Sequence, residues 1–387
     1  MSWKRKIAAC AVVAATLAAC AGQNTTSTER QSVPEHPAAL SIEPYQPRFE
    51  RERPVVAVVA HHAGAELTDF VVPYGVLAAS GSADLVTVST APGPIDMFPA
   101  LTIEADATVE EFDRRYPKGA DYVVVPAVHE ADDPDLLAWI REQEGRGATL
   151  VGVCDGVLVL ANAGALDGRY ATAHWYSINR LERKHPQTEW VRDRRYVADQ
   201  NVITTTGVSA SIPVSIALVE AIAGTAHAAE LAASLGVEDW STAHDSDVFG
   251  ITAGRVLTLV RNGVAFWRRD EIEIGVEAGL DEITLALAAD LWSRTYRSNV
   301  VSSSSSGEPF RTRGGLRLVP DRAHGESGKP DRRFSPPDRA LTGSAIDITL
   351  DGIADAYGRP TADLVALQIE HQWIQSRDDV ERPLVRN

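Results

Sequence analysis

The stretch best suited to chemistry is Thr149-Leu-Val-Gly-Val-Cys154-Asp-Gly-Val-Leu-Val-Leu-Ala-Asn-Ala-Gly164. The apolar run up to Val153 predicts a strand buried on both faces, and residues 157–163 have helical composition. Cys154 falls in the short turn between them, where a strand–turn–helix elbow presents its nucleophile. The free N–H groups and dipole of a helix N-terminus favour a thiolate. The pattern predicts a cysteine nucleophile, and the alternative is a small apolar core residue.

The segments around this turn predict an α/β fold. Short apolar runs alternate with segments of helical composition, which is typical of a parallel sheet covered on both faces. The expected strands are 54–60, 84–89, 122–125 and 149–153, the expected helices are 70–80, 134–146, 157–163 and 209–223, and a hairpin is expected from 196–198 and 202–205. Ligands bind at the carboxyl ends of the strands in such sheets, and Cys154 follows one of these ends.

The sequence around the cysteine resembles the DJ-1/PfpI family, which is class I glutamine amidotransferase-like. The resemblance rests on Gly152-Val-Cys154-Asp-Gly156, on Leu160-Ala-Asn-Ala-Gly-Ala-Leu-Asp-Gly168 and on Ala171-Thr-Ala-His174-Trp175, and it covers residues 54–224. It is strongest to the branch of isocyanide hydratases and the amidase-like half of AraC-type regulators. It implies a flavodoxin-like three-layer α/β sandwich with a parallel sheet and a nucleophile elbow.

The same resemblance implies roles for single side chains. Cys154 would be the nucleophile, Asp69 the acid that faces it, and His174 a general acid or base; Glu66 is the second candidate for the acid. A protonated carboxyl beside the sulfur would donate a hydrogen bond to it, whereas an ionised one would raise the thiol pKa. The structural alternatives are acids that stabilise a helix start and a histidine that caps the next strand.

Two departures from the family pattern concern the binding pocket. Relatives carry Thr or His after the cysteine, but this chain has Asp155, which we expect to point into the amides of the following helix. The thiol pKa would then lie below the ordinary value of about 8.5. Relatives place Pro-Gly-Gly after the fourth strand, but this chain has Pro126-Ala127-Val128. Ala127 and Val128 still offer backbone N–H groups, so they join Glu66 and Asp155 as predicted binding residues.

The N-terminus has the pattern of an export signal. Lys4-Arg-Lys6 precedes the apolar run Ile7–Ala19, which is too short to span a bilayer. Leu17-Ala-Ala-Cys20 resembles a bacterial lipobox, which implies cleavage before Cys20 and acylation of its thiol. We expect a membrane-anchored lipoprotein of the cell envelope, periplasmic or at the outer surface. The alternative is a plain secretory signal.

Charge and cysteine content narrow the expected partners. A net charge of −16 makes the chain a poor partner for nucleic-acid phosphates. Cys10 lies in the signal and Cys20 in the lipobox, so Cys154 is the remaining thiol and no intramolecular disulfide is expected. The sequence lacks dinucleotide, Walker and zinc signatures, so we expect no cofactor and no metal. The expected partners are a small-molecule substrate or ligand and, through the lipid anchor, the membrane.

The chain is expected to have four parts: a signal peptide (1–19), a disordered tether (20–53), the DJ-1/PfpI-like domain (54–224) and a C-terminal α/β region (225–387). The last part is expected to hold helices at 281–296 and 346–356, a low-complexity serine run at 302–306 and a flexible insert at 321–340.

The C-terminal region echoes the first domain. Residues 307–321 resemble 93–106, and residues 344–350 resemble 211–217, but a second elbow with a cysteine is missing. The echo predicts a degenerate, non-catalytic copy that packs on the first domain as an internal pseudo-dimer partner. A homodimer, and chance similarity between common α/β patterns, are the alternatives.

Three functions are compatible with the sequence. The first is a cysteine-dependent hydrolase, hydratase or glyoxalase-like enzyme acting on a small electrophilic molecule, as the resemblance implies. The second is a non-catalytic binding or sensing module that keeps the pocket. The third is a protein related to transcription regulators but without a DNA-binding domain, which the acidic charge and the expected export disfavour.

Overall fold

The structure is a computed structural model and describes residues 42–264, 266–326, 329–374 and 384–385. The predicted signal peptide, the predicted lipidation site Cys20 and most of the predicted tether lie outside the described residues. Within the described ranges, none of the helices is both long enough and apolar enough to cross a bilayer.

Residues 42–53, which the sequence assigns to the tether, lie against the first domain. The Tyr45 N–H donates to the Ala221 carbonyl at 2.8 Å. Arg51 forms an ion pair with Asp121 at 2.8 Å. The ordered domain therefore begins before residue 54.

The first unit, residues 55–234, alternates strands and helices. Its elements are β1 (Val55–Ala60), α1 (Leu67–Ser80), β2 (Asp84–Ser89), β3 (Pro94–Asp96), β4 (Thr102–Glu104), β5 (Ala107–Thr108), α2 (Val109–Arg115), β6 (Tyr122–Val125), α3 (Pro134–Gly145), β7 (Thr149–Gly152), α4 (Gly156–Ala163), β8 (Tyr170–Ala171), α5 (Trp175–Lys184), β9 (Glu189–Trp190), β10 (Tyr196–Asp199), β11 (Val202–Thr205), α6 (Ser211–Ala223) and α7 (Thr225–Ser234). Seven strands form one sheet in the order β10-β11-β7-β6-β1-β2-β5. Every pairing is parallel except that of β10 with β11, which is the predicted hairpin.

Strand β1 shows why this sheet has two covered faces. Side chains alternate between the faces of a strand. Val56 and Val58 belong to one core, with α1 and α6, while Val55 and Val59 belong to the other, with α3, α4 and α5. A layer of helices on each side makes a three-layer sandwich, so the predicted flavodoxin-like fold class is confirmed.

The second unit, residues 253–385, is a smaller α/β assembly. Its elements are α8 (Ala253–Val264), β12 (Asp270–Gly275), α9 (Glu282–Ser293), β13 (Ser298–Ser304), β14 (Phe310–Arg311), β15 (Arg317–Val319), β16 (Arg322–Ala323), β17 (Arg332–Phe334), α10 (Ala345–Tyr357), α11 (Arg359–Gln368) and β18 (Leu384–Val385). Its sheet has the order β16-β13-β12-β17-β18.

Two expectations for this region need correction. The serine run forms part of a strand: Ser302 and Ser303 are buried in β13, where they pair with Ile274 and Gly275 of β12. The expected insert at 321–340 contains β16 and β17, which add to the same sheet. In both places main-chain pairing with a neighbouring strand decides the structure, and composition does not reveal it.

The second unit repeats the order of elements found in the first. β12, α9 and β13 follow the order of β1, α1 and β2, and β17, α10 and α11 follow that of β11, α6 and α7. A hydrogen-bond arrangement also repeats. Asp106 Oδ2 accepts from the amide and hydroxyl of Thr87 at 3.2 and 2.8 Å, and Asp321 Oδ2 accepts from the same groups of Ser302, both at 2.8 Å. The stretch that carries the elbow is not repeated, and residues 225–387 contain no cysteine.

The loss of that stretch changes how the second sheet is covered. Ile272 and Ile274 are fully buried on the face that packs with α9 and α10. Glu273, which points to the opposite face, forms ion pairs with Arg322 at 2.9 Å and with Arg333 at 3.1 Å. Charged pairs thus stand on the face that the first unit covers with a helical layer.

The two units share a sheet and a helix contact. β15 pairs antiparallel with β4, which creates a four-stranded sheet in the order β14-β15-β4-β3 with Leu318 opposite Ile103. α1 packs against α9. A Cβ at Gly75 of α1 would lie 2.5 Å from Ile283 Cγ1, so the close approach requires glycine there. The C-terminal region is therefore packed on the first unit.

Candidate functional site

Cys154 lies on a strained turn between β7 and α4. Its φ is +53°, a left-handed conformation that non-glycine residues rarely adopt and that clusters at functional sites. Its N–H donates to Thr205 Oγ1 at 3.0 Å. A Cβ at Gly156 would lie 2.0 Å from the Val125 carbonyl oxygen, so the turn can close only over a glycine. The predicted nucleophile elbow is confirmed, and the Cys154 side chain is partly buried.

Asp69 lies in the first turn of α1 and is fully buried. Its Oδ2 accepts the Ala127 N–H at 3.3 Å, while Oδ1 has no hydrogen-bond partner among the described residues. Burial raises the pKa of this carboxyl well above its usual value, and the charge of Glu66 raises it further. The shift favours a protonated Asp69, whose O–H is available as a hydrogen-bond donor.

The thiol of Cys154 is not acidified. Burial raises its pKa well above the ordinary value, the charges of Asp69, Asp155 and Glu66 raise it further, and Arg294 opposes them. The prediction of a lowered thiol pKa is wrong mainly because the thiol is buried, and the predicted orientation of Asp155 into the helix amides is not observed either. Its side chain makes no cap hydrogen bond within the described chain, and its Oδ1 is buried without a partner.

A guanidinium from the second unit reaches this site. Arg294, at the end of α9, donates to Glu66 Oε1 at 2.6 Å and to Asp290 Oδ2 at 2.7 Å. Glu66 in turn caps α1, because its Oε2 accepts the Asp69 N–H at 2.6 Å. Glu66 thus links Asp69 to an arginine of the other unit.

Burial and charge set the ionisation of this group. Burial raises the pKa of Asp290 to about 7, although Arg294 lowers it. Burial lowers the pKa of Arg294, but the carboxylates of Asp290 and Glu66 outweigh that effect and raise it. Sequence reasoning missed Arg294 because it lies 228 residues from Glu66. The one local signal is an acid and an arginine four residues apart at the end of an apolar helix.

His174 lies at the N-terminus of α5 with both ring nitrogens bonded. Nδ1 accepts the Tyr176 N–H at 3.3 Å, which assigns the ring proton to Nε2, and Nε2 lies 3.1 Å from the Gln368 carbonyl. These bonds tie the start of α5 to the end of α11. They favour the capping role of His174 over the predicted catalytic one, because neither nitrogen is left for a substrate.

The loop after β6 holds the acid and offers amides. The Ala127 N–H is taken by Asp69, and the Ala127 carbonyl accepts the Glu66 N–H at 2.7 Å. Ala127 therefore positions the acid and is not a free donor. In the hydrogen bonds of the described residues, the N–H groups of Val128 and Asp155 have no acceptor. These two amides are the candidates to bind negative charge that develops on a substrate.

A cluster at neighbouring strand ends has the composition of a metal site. Ligand atoms of His61, Glu130 and Asp133 lie within 4.8 Å of one another. His61 Nδ1, however, accepts the Ala63 N–H at 3.1 Å, so Nε2 carries the proton of the neutral ring. Burial lowers the pKa of His61 and keeps the ring neutral. In a histidine that binds a metal through one ring nitrogen, the other nitrogen carries a proton and donates it in a hydrogen bond. Because Nδ1 of His61 accepts a hydrogen bond instead, we assign no metal to this cluster.

The comparisons with known proteins match the part of the chain that contains the Cys154 elbow. The DJ-1/PfpI family pattern matches residues 55–221. Isonitrile hydratase of Pseudomonas putida is 31% identical over 163 residues, which cover 40% of this chain and 67% of that protein. The HTH-type transcriptional regulator CdhR of Pseudomonas aeruginosa is 34% identical over 143 residues, which cover 36% of this chain. This chain spans 40% of the length of that regulator.

Among solved structures, DJ-1beta of Drosophila melanogaster aligns with a TM-score of 0.44 and 20% identity, over 48% of this chain and 100% of that chain. A strand–turn–helix elbow that carries a cysteine, at the carboxyl edge of a mostly parallel sheet, defines the class. The chain belongs to the DJ-1/PfpI family.

Proposed function

We propose that this protein is a cell-envelope enzyme that uses Cys154 to hydrate or hydrolyse a small electrophilic molecule. The observation that carries the proposal is the pairing of Cys154, held at positive φ, with the buried Asp69 carboxyl, whose pKa is raised. A strained nucleophile and a protonated acid that interact with each other can attack an electrophilic carbon and protonate it in the same step. The relative named isonitrile hydratase supports a hydration.

An isonitrile illustrates the chemistry. The sulfur of Cys154 bonds to the terminal carbon, that carbon takes the proton of Asp69, and the Asp69 carboxylate takes the proton of the thiol. The product is a thioimidate on Cys154. Water then adds to its carbon, the C–S bond breaks, and a formamide leaves as the thiol recovers its proton. Because Asp69 gives up its proton before it takes one, this sequence starts from the neutral thiol that the raised pKa of Cys154 favours.

The test is turnover by the full chain with an alkyl isonitrile, a 2-oxoaldehyde and a simple amide, followed by mass spectrometry in ¹⁸O water. We expect one class to be consumed with ¹⁸O in the product, and Cys154→Ala to lose that activity. Asp69→Asn should lower kcat because it cannot supply the proton. His174→Gln serves as the comparison and should retain most of kcat. Turnover that survives Cys154→Ala would overturn the proposal.

A binding or sensing module is the second candidate. The raised pKa of Cys154 favours it, because a thiol that stays protonated is a weak nucleophile. In that case wild type and Cys154→Ala would bind the same small molecules, measured by calorimetry, and neither would form product. We do not propose a role at DNA, because a net charge of −16 opposes binding to a phosphate backbone.

We propose further that the chain is exported and anchored through an acylated Cys20. The lipobox-like Leu17-Ala-Ala-Cys20 after a short apolar run supports this. Labelling with an alkyne fatty acid should mark the wild type and not Cys20→Ser, and the intact mass should include a diacylglycerol. A mature protein without the lipid would contradict the anchor.

We propose, finally, that the second unit is a degenerate, non-catalytic copy of the first. The repeated order of elements and the matching bonds of Asp106 and Asp321 support a duplication. Its role would be to cover α1 and to deliver Arg294 to the site. The full chain with Cys154→Ala, in which the second unit is intact, should show no turnover, and turnover that persists there would contradict the idea of a non-catalytic copy.

A further inference from the structure

Helix α8 of the second unit presents apolar side chains to the outside. Leu257 is 69% exposed, Val260 51% and Val264 61%. Their spacings of three and four residues place them in one stripe along the helix. Trp267, which is 66% exposed, follows in the short 3-10 turn Phe266–Arg268.

Polar side chains dock the other face of α8 on the protein. Thr258 and Asn262 are buried there, together with Leu259. The Asn262 amide donates to the Thr295 carbonyl and to Thr361 Oγ1, both at 3.1 Å. Three of its apolar side chains thus point outward, whereas a surface helix usually turns such side chains inward. Because hydrogen bonds fix the helix in place, the exposed apolar side chains keep one orientation towards solvent.

The charge of this segment also differs from the rest of the chain. Residues 248–269 contain four arginines and no acidic residue, although the whole chain has a net charge of −16. Arg261 and Arg268 are exposed beside the apolar stripe. A basic amphipathic helix with an exposed tryptophan has the composition of an interfacial membrane helix.

We propose that α8 and the turn after it dock on an anionic lipid bilayer, with the apolar stripe in the headgroup–acyl boundary and Arg261 and Arg268 at the phosphates. Charge complementarity selects this occupant. An anionic bilayer repels most of this acidic protein and attracts the basic segment, so the protein approaches in one orientation. A second copy is a poorer match, because it brings a charge of −16 against another of −16.

The test uses the full chain with phosphatidylcholine vesicles and with vesicles in which phosphatidylglycerol replaces part of the lipid. Hydrogen exchange should slow at 253–268 with the anionic vesicles, less so with the neutral ones, and high salt should reverse the effect. A local readout separates this contact from any N-terminal anchor. An absence of protection with both vesicles would overturn the proposal. Protection that appears on concentrating the protein without lipid would overturn it in favour of a second copy.

Variants test the two parts of the contact. Arg261→Gln and Arg268→Gln should each weaken binding to anionic vesicles about fivefold. Leu257→Ser with Val264→Ser should weaken binding to both kinds of vesicle. The controls are Arg114→Gln and Leu341→Ser, exposed positions elsewhere, which should leave binding unchanged. If the arginine variants bind like wild type, or if the controls lose binding equally, the proposed surface is wrong.

Discussion

The guanidinium of Arg294 lies 2.6 Å from Glu66 Oε1, although the two residues belong to different units. Glu66 also receives the N–H of Asp69 and so fixes the first turn of α1. Asp69, which interacts electrostatically with Cys154, is therefore held through Glu66 by a side chain of the second unit.

Removal of Arg294 should be costly. Arg294→Met leaves the buried carboxylates of Glu66 and Asp290 without their partner, which typically costs about 3–5 kcal/mol. Arg192→Gln breaks the exposed pair with Glu182 and should cost at most about 1 kcal/mol. Urea unfolding of both variants measures the difference. Equal losses would show that the Arg294 pair is not a buried one.

The thiol of Cys154 should titrate above the ordinary cysteine value. The charge of Asp155 opposes the thiolate, so Asp155→Asn should lower the thiol pKa, whereas Asp69→Asn replaces a carboxyl that is already protonated and should change the thiol pKa less. The rate of alkylation by iodoacetamide across pH gives the midpoint for each variant. Glu110→Gln, an exposed site on α2, is the control and should not move it. A wild-type midpoint below about 8.5 would contradict the structure.

Stability should depend on pH through Asp69. Its folded pKa is raised above the unfolded value, so the folded state binds the extra proton between the two values. The unfolding free energy contributed by this group is therefore present at low pH and is lost as pH rises through the folded pKa. Asp69→Asn removes this dependence, so its stability relative to wild type should increase steadily above about pH 4.

Urea unfolding at a series of pH values measures that increase. Asp290→Asn should behave in the same direction, and its increase should level off above the folded pKa of about 7. Glu110→Gln, exposed on α2, should show no trend. A flat difference for Asp69→Asn would mean that its carboxyl is ionised in the folded protein.

Asp106 and Asp321, the repeated aspartates, should contribute similar amounts to the free energy of unfolding. Asp106→Ala and Asp321→Ala each leave an amide and a hydroxyl without their acceptor, at a cost of about 1–3 kcal/mol. Because the units share a sheet, both variants should unfold in one transition, followed by fluorescence and circular dichroism together. Two separate transitions would show that the units are energetically independent.

The local sequence predicted the strands and the elbow, because nearby residues determine both. The β-branched runs and the Cys154-Asp-Gly156 turn indicated the sheet and the elbow, because period and turn chemistry are encoded within a few residues. The orientation of Asp155 was predicted wrongly, because it depends on the exact path of the turn at Cys154. Arg294 could not be predicted, since only the packing of α9 on α1 brings it to Glu66.

The sheet that joins β4 to β15 has a consequence for how the molecule responds to dilution. An interface between two separate copies comes apart at low concentration, whereas the joined strands here belong to one polypeptide and meet at a fixed effective concentration. In a symmetric dimer both copies carry the same sequence, so every mutation appears in both halves. In this chain the two units are encoded separately, so their corresponding positions can differ. Arg294 follows α9, for example, whereas Gly81 follows α1 in the first unit.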